Sequence, residues 1–401
     1  MSSPVPKVRL TAIAPHPIQY HAPLFRALAM RPELDVEVAF LELLDAQQQG
    51  QGFGVPFQWD VPVLEGYRSR VLPTMRYARG QWGRTLRARA CLRELDPDIL
   101  LLTGWHTFPL IQLLSAAHRM GIPVLMRGES HALKPRHPIM HWLHGWLFRQ
   151  VDGFLVIGRA NRGLYERHGI SQDRLFDAPY FVDNEWFASK ASMWRERRSE
   201  VRSALGIPER AIAFLYVGKF ESKKHPHHFT MALGRLARKR PDLLIHGLLV
   251  GDGDLANDLR GRSSTESVPL TFTGFVNQSE IPKFYVAADA LVLPSDYGET
   301  WGLVVNEAMA CGLPALVSDR VGCGPDLVVG GTTGARYPFG DIDSMVEVLE
   351  KWAQTPELMR QLGRAAEARV RNHYTVARSV EAVLQAVHAT TQANGRVGSM
   401  P

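Results

Sequence analysis

The chain has 401 residues, 45% of them hydrophobic, and this length suits two domains of ordinary size with complete cores. No apolar run reaches the ~20 residues that a membrane-spanning helix needs, the three cysteines form no disulfide framework, and no Cys/His spacing suggests a zinc site. The net charge of +6 is dispersed and has no nucleic-acid-binding motif beside it, which leaves nucleotide or lipid phosphates and acidic membranes as expected partners.

The first predicted strand, Val8 to Ala14, is followed by a polar loop that prolines stiffen. Gln19 and His21 lie in this loop, ahead of a predicted helix that begins at Ala22. A rigid loop at the end of a first parallel strand is a common ligand-facing position. Two alternatives stay open: Gln19 and His21 hydrogen-bond substrate, or they only pack the turn.

Two more predicted strands end in polar loops. The strongly apolar strand Asp98 to Leu102 runs into His106, and the strand Gly121 to Met126 is followed by Glu129 and His131. Because ligands collect outside the carboxyl ends of the strands in open α/β sheets, we expect both loops to be functional.

Two segments of the first half are basic. Residues 68 to 93 contain eight arginines and few acids, and we expect a helix from Gly83 to Leu95. This run is either a solvated face or a patch that faces an acceptor or a membrane. Residues 134 to 149 mix basic and large apolar side chains, which suits either a core helix with a wet outer face or a membrane-interface segment.

The second half opens with a predicted strand, Ile212 to Val217, and a loop that contains Gly218, Lys219 and Lys224. Further strands are predicted at Leu243 to Val250 and Pro269 to Thr273. Both halves therefore alternate strands with helices, which implies two parallel sheets with right-handed crossovers.

Residues 294 to 314, here called the corner, are the most informative stretch. A predicted buried strand, Ala290 to Leu293, leads into a polar turn, and a short predicted helix follows from Val304 to Cys311. Free amides at the start of that helix attract phosphate. The carboxylates of Glu299 and Glu307 on either side could accept sugar hydroxyls, which suits a sugar joined to a nucleotide.

The corner sequence E-T-W-G-L-V-V-N-E-A-M-A-C-G-L-P resembles the signature of retaining GT-B glycosyltransferases of family four (glycosyl transferases group 1). The resemblance implies an α/β fold of GT-B architecture, with two Rossmann-like domains facing across a cleft that closes on substrate. It covers residues 205 to 375 with specific motifs and the first half loosely.

The resemblance also implies a role for each matched residue. Lys219 and Lys224 hold the diphosphate together with amides at the helix start, Glu307 binds the nucleotide ribose, and Glu299 binds the transferred sugar. In the first half it leaves open whether Glu129 or His131 contacts the donor sugar, with His106, Gln19 and His21 shaping the acceptor side. The amides at the helix start are those of Gly302, Leu303 and Val304, and Gly218 belongs to the same donor-binding set. The nucleotide base is expected to lie on Gly274, Phe275 and Val276.

Three departures from the family pattern stand out. The first loop has prolines where glycines are usual, and Lys219 replaces an arginine, which loses the bidentate fork of a guanidinium. His225 replaces a glycine. No Asp-x-Asp metal motif is suitably placed, so we expect no metal and no cofactor beyond the donor substrate.

The expected domains are an acceptor-side domain at residues 1–188 and a nucleotide-sugar domain at 189–373. A helix at 374–391 is expected to cross back to the first domain, before a flexible tail at 392–401. The N-terminus lacks the apolar stretch of a secretion signal. We therefore expect a cytoplasmic protein that can work at the inner face of a membrane through peripheral association.

The expected activity is transfer of a sugar from a UDP- or GDP-sugar to a hydroxyl of a sugar, glycan or lipid-linked acceptor in cell-envelope biosynthesis. Two other functions fit the sequence less well. A sugar-nucleotide epimerase of the same fold would need no acceptor. A non-catalytic carbohydrate- or nucleotide-binding protein would not need both glutamates and both lysines.

Overall fold

The computed structural model describes residues 7–77, 82–263 and 268–393. The chain divides into two compact units. The first unit takes its described residues from Met1–Leu44, Pro62–Tyr180 and Val376–Pro401, and the second consists of Asp45–Val61 and Phe181–Thr375. Position 188, the predicted domain boundary, lies inside a helix, Asn184–Arg195. The predicted tail lies outside the described residues from position 394 onwards.

The first unit is built on a seven-stranded sheet in which every neighbouring pair is parallel. The strands in the described part of this unit are β1 (Val8–Ala14), β2 (Leu34–Phe40), β3 (Arg68–Val71), β4 (Thr74–Arg76), β5 (Arg84–Leu86), β6 (Ile99–Leu102), β7 (Val124–Met126), β8 (Gly153–Val156) and β9 (Leu175–Asp177). The sheet order is β3-β2-β1-β6-β7-β8-β9, and β4 pairs with β5 as a separate antiparallel hairpin.

The second unit contains a six-stranded sheet, also parallel throughout. Its strands are β10 (Ile212–Val217), β11 (Ile245–Val250), β12 (Leu270–Phe272), β13 (Ala290–Leu293), β14 (Ala315–Ser318) and β15 (Gly334–Tyr337). Their order is β12-β11-β10-β13-β14-β15. Strands β10, β11, β13 and β14 are almost entirely buried, as expected for a parallel sheet whose faces are covered by helices.

Helices cover both sheets. They are α1 (Ala22–Ala29), α2 (Ala46–Gln49), α3 (Ala88–Leu95), α4 (Phe108–Met120), α5 (Pro138–Phe148), α6 (Arg159–Arg167), α7 (Asn184–Arg195), α8 (Arg198–Ala204), α9 (Pro226–Lys239), α10 (Ala256–Ser263), α11 (Ile281–Ala287), α12 (Leu303–Ala310), α13 (Gly324–Leu327), α14 (Ile342–Gln354), α15 (Pro356–His373) and α16 (Val376–Ala393). Local chemistry fixes several of their ends. Asp183 and Asp341 cap α7 and α14 through their side chains, and α4 ends at Gly121, whose φ is +67°.

Both sheets have the strand order of a doubly wound fold, so each has a switch point where the order reverses. In the second unit the switch point lies between β10 and β13, and in the first unit it lies between β1 and β6. Ligands of such folds bind outside the carboxyl ends of the strands at this point. We therefore expect ligand-binding residues in the loops that follow these four strands.

The last helix, α16, packs on α1, β8 and β9 of the first unit. Ser379 Oγ donates a hydrogen bond to the carbonyl oxygen of Pro179 over 2.7 Å. After the long segment 181–375 of the second unit, the chain therefore returns to the first unit.

The helix predicted from Gly83 to Leu95 is wrong at its start. Arg84 to Leu86 form β5, and α3 begins only at Ala88. The Gln112 side chain accepts a hydrogen bond from the Leu86 backbone over 3.1 Å, so a tertiary contact fixes the extended segment. Among the described residues, no helix is long and apolar enough to cross a membrane.

Candidate active site

The corner follows β13 at the switch point of the second unit. Its helix, α12, begins after Gly302, whose φ of +98° a side chain would strain. No side chain among the described residues caps this helix. The N–H groups of Gly302, Leu303 and Val304 lie at this helix start, where an α-helix supplies no intrahelical acceptor. Such a helix start attracts an anion.

Glu299 and Lys224 form an ion pair beside this helix start. Lys224 Nζ lies 2.6 Å from Glu299 Oε2, and each side chain is only 15% exposed. Ser295 Oγ donates to the same oxygen over 3.3 Å. Lys224 follows β10 and Glu299 follows β13, so the pair joins the two strands that flank the switch point.

Glycines keep the corner compact. A Cβ on Gly322 would lie 1.8 Å from the carbonyl oxygen of Thr300, so only glycine fits there. The Gly322 amide donates to the backbone oxygen of Glu299 over 3.1 Å. This contact fixes the backbone of Glu299 from the following loop.

Glu307 has a different environment, because it is 1% exposed on the buried side of α12. Tyr285 donates its hydroxyl to Glu307 Oε2 over 2.6 Å, and Gln278 Nε2 lies 3.4 Å from Oε1. These two contacts come from neutral donors. The Gln278 contact to Oε1 is near the upper limit of hydrogen-bond length.

Lys219 is occupied by the segment 45–61. Its Nζ donates to the Gln51 carbonyl over 2.9 Å and lies 4.5 Å from the ring centre of Phe53. Burial lowers the pKa of Lys219 from its ordinary value, while Glu221 opposes this effect. No local sequence pattern indicates this contact, which joins residues 168 positions apart.

The same segment covers the predicted base site. Phe57 stacks on Phe275 with 4.2 Å between ring centres, and Phe53 meets the same ring edge-on. Asn277 Nδ2 donates to the Gln58 carbonyl over 2.6 Å. Gly274 and Val276, on either side of Phe275, are half-buried.

In the first unit, the loops after β1 and β6 flank the other switch point. Gln19 is half-buried, His21 is buried and His106 is exposed. Burial holds the pKa of His21 well below its ordinary value, and the charge of Arg127 adds to the effect. Smaller contributions come from His16 and His106, so the fold brings these groups together. His21 Nδ1 is buried and has no hydrogen-bond partner in the described part of the chain.

The loop after β7 separates Glu129 from His131. Tyr180 donates its hydroxyl to Glu129 Oε1 over 2.6 Å, and the Arg127 guanidinium lies 4.4 Å from the centre of the Tyr180 ring. Glu129 is half-buried, whereas His131 is 2% exposed. Of the two candidates, Glu129 is thus the more accessible.

Two models of known families match this chain. The model described as glycosyl transferases group 1 matches residues 197–369, and a glycosyl transferase 4-like domain matches residues 18–179. Together they cover most of both units. The chain belongs to the group 1 glycosyltransferases of family four. Its fold is the GT-B fold, composed of two Rossmann-like domains.

Known proteins with a similar sequence or a similar fold include the following. An alpha-D-kanosaminyltransferase from Streptomyces kanamyceticus is 25% identical over 260 residues, which cover 62% of this chain and 65% of that protein. Sucrose-phosphate synthase from Thermosynechococcus elongatus superposes with a TM-score of 0.72 at 18% identity, over 96% of this chain and all of that one. HepE from Anabaena, solved with UDP-glucose, superposes with a TM-score of 0.69 at 15% identity, over 96% of this chain and 99% of that one.

Sequence reasoning missed several residues of this glycosyltransferase's candidate site. Tyr285 and Gln278 hold Glu307, and Tyr180 holds Glu129. Asn161 donates to the backbone oxygens of Gly128 and Ser130, so it shapes the Glu129 loop. These partners are 22 to 51 residues away in the chain, beyond the reach of any local pattern. Within the described ranges, no group of three or more His, Cys, Asp or Glu side chains could hold a metal ion.

Proposed function

We propose that this protein is a retaining glycosyltransferase that moves a sugar from a UDP- or GDP-sugar to an acceptor hydroxyl. The observation that carries the proposal is the Lys224–Glu299 ion pair at the switch point, beside the uncapped start of α12. A cation and free amides suit a diphosphate, and the adjacent carboxylate suits the hydroxyls of the attached sugar.

The candidate site residues of the second unit have proposed parts in donor binding. Lys224 holds the diphosphate with the amides from Gly302 to Val304, and it stabilises the charge that grows as the leaving group departs. Lys219 joins it once its contact with Gln51 is released. Lysine is a point charge and not a fork, so two lysines together replace bidentate recognition.

Glu299 and Glu307 are proposed to read different parts of the donor. Glu299 shares one oxygen with Lys224 and Ser295, which leaves its Oε1 for a hydroxyl of the transferred sugar. Glu307 is proposed to accept a ribose hydroxyl at Oε1, in place of the long contact to Gln278. The base is proposed to lie on Gly274, Phe275 and Val276.

Bond changes in the proposed reaction occur on one face of the sugar. The acceptor oxygen forms a bond to the anomeric carbon as the bond from that carbon to the diphosphate breaks. The acceptor proton passes to the leaving phosphate oxygen, so no protein nucleophile is required. In the first unit, Glu129, His106, His131, Gln19 and His21 are the proposed contacts to acceptor and donor sugar. We propose a sugar, glycan or lipid-linked acceptor from cell-envelope synthesis, and no resident metal or cofactor.

Product analysis tests this function. The protein is incubated with UDP- and GDP-sugars, with and without a panel of sugar, glycan and lipid-linked acceptors, and the products are followed by NMR. The proposal expects acceptor-dependent release of the nucleoside diphosphate and a product with the anomeric configuration of the donor. An altered sugar nucleotide formed without acceptor would identify an epimerase instead. An inverted product would overturn the retaining assignment.

A further inference from the structure

Helix α5 in the first unit turns an apolar stripe outward. Ile139, Trp142 and Trp146 recur at helical spacing, and Trp142 is 65% exposed. The opposite face, with Leu147 and Phe148, is buried. The outer face of α5 therefore exposes large apolar side chains, whereas the solvent side of a core helix is normally polar.

Trp146 also lines a groove of about 620 Å³ between α3, α4 and α5. Phe108 contributes a second exposed aromatic ring to its wall. Four arginines complete the lining, and all four are exposed: Arg87, Arg89, Arg93 and Arg119. We call these arginines with Trp142 and Trp146 the Arg-Trp surface.

The four arginines form no ion pair or hydrogen bond with the described residues, although many other arginines of this protein do. The carboxylates near α3 form ion pairs with other arginines. Glu94 pairs with Arg70 over 3.0 Å, and Asp98 pairs with Arg9 over 2.9 Å. Residues 134–149, which include α5, contain no acidic residue. The positive charge of the Arg-Trp surface is thus uncompensated.

We infer that the Arg-Trp surface docks this protein on a bilayer that contains anionic phospholipid. Guanidinium groups bind phosphate oxygens in pairs, and the groove has the volume of a small-ligand pocket, enough for a lipid head group. Tryptophan side chains favour the level of the head groups, where the ring meets both water and acyl chains. The arginines and the tryptophans lie on adjoining helices, so one approach of the membrane satisfies both. This surface belongs to the first unit and is independent of the proposed donor chemistry.

Vesicle sedimentation with the full-length protein tests the inference. Vesicles of phosphatidylcholine alone are compared with vesicles that also contain phosphatidylglycerol. We expect partition into the anionic vesicles, weakened by salt. Arg89→Gln and Arg93→Gln should each lower the partition coefficient about fivefold, and Trp142→Ala about tenfold.

Matched controls lie in the second unit. Arg210 is exposed and Leu244 is 59% exposed, so Arg210→Gln and Leu244→Ala should partition like the unaltered protein. Equal partition into both kinds of vesicle, or undiminished binding by the Arg89 and Arg93 variants, would overturn the inference. Nucleotide binding by the same preparations is a separate readout, because it reports on the second unit alone.

Discussion

The corner of the second unit and the strand ends of the first unit place polar side chains at the same position of the same kind of sheet. In the corner, Glu299 is neutralised by Lys224 and Glu307 is held by Tyr285. In the first unit, His21 is buried with one ring nitrogen unpartnered among the described residues, and its pKa is lowered. The corner thus carries paired charges, whereas the first unit carries a buried imidazole that its lowered pKa keeps neutral.

The largest expected effect concerns the cation of the corner. Lys224→Ala should raise the activation barrier by about 2–4 kcal/mol, because one preorganised charge no longer faces the leaving diphosphate. Turnover measured at saturating donor checks this. The control is Lys223→Ala, since Lys223 is 49% exposed and pairs with Glu221. An undiminished rate for Lys224→Ala would remove this residue from the mechanism.

Next in size is the role of the buried carboxylate. Glu307→Ala should weaken nucleotide binding by about 1.5–3 kcal/mol, because the ribose loses a charged acceptor. Calorimetry with the nucleoside diphosphate measures the change. Tyr285→Phe keeps the carboxylate and removes only its hydroxyl partner, so it should bind nucleotide nearly as well. Unchanged affinity in Glu307→Ala would contradict the assignment and leave Glu307 a purely structural group.

A third prediction concerns the imidazole of the first unit. Since the folded-state pKa of His21 lies well below 6.5, the unfolded chain binds the proton first as pH falls. Its contribution to stability is present above about pH 6.5 and is lost below it, by about 1.4 kcal/mol per pH unit for one proton.

Denaturant unfolding at about pH 7.5 and about pH 5.5 measures this slope, and His21→Leu should flatten it by one proton. If the variant and the unaltered protein lose stability equally, His21 is not the group that titrates.

The smallest expected effect concerns the segment 45–61. If Lys219 must leave the Phe53 ring to reach the diphosphate, Phe53→Ala removes a cation–π contact worth about 0.5–1 kcal/mol. Donor binding should then tighten about two- to fivefold, as calorimetry would show. Leu244→Ala, far from this contact in the chain, serves as the control. Weaker binding would mean that Phe53 is part of the donor site.

The sequence was most informative where the signal is local. The helix of the corner was predicted from Val304 to Cys311 and runs from Leu303 to Ala310, because glycine and proline mark its ends. The parallel sheets followed from the alternation of strands and helices, and both are confirmed. The α/β class and the GT-B family were therefore within reach of the sequence.

What the sequence could not predict depends on contacts between distant segments. Gln112 turns the start of a predicted helix into β5, and Gln51 occupies Lys219. No local sequence pattern identifies the partner of either glutamine. The burial of Glu307 was likewise not predictable, because a carboxylate on a helix face is normally solvated and its partner Tyr285 lies 22 residues away in the chain.

A thermal-shift screen against UDP, GDP, ADP and their common sugar conjugates tests the central proposal most directly. A ligand at a thousand times its Kd adds about 4 kcal/mol to the stability of the folded state, which is a large rise in the unfolding midpoint. We predict a clear response to one nucleotide that Lys224→Ala weakens. No response to any nucleotide, or an equal response in Lys224→Ala, would contradict a donor site at the corner.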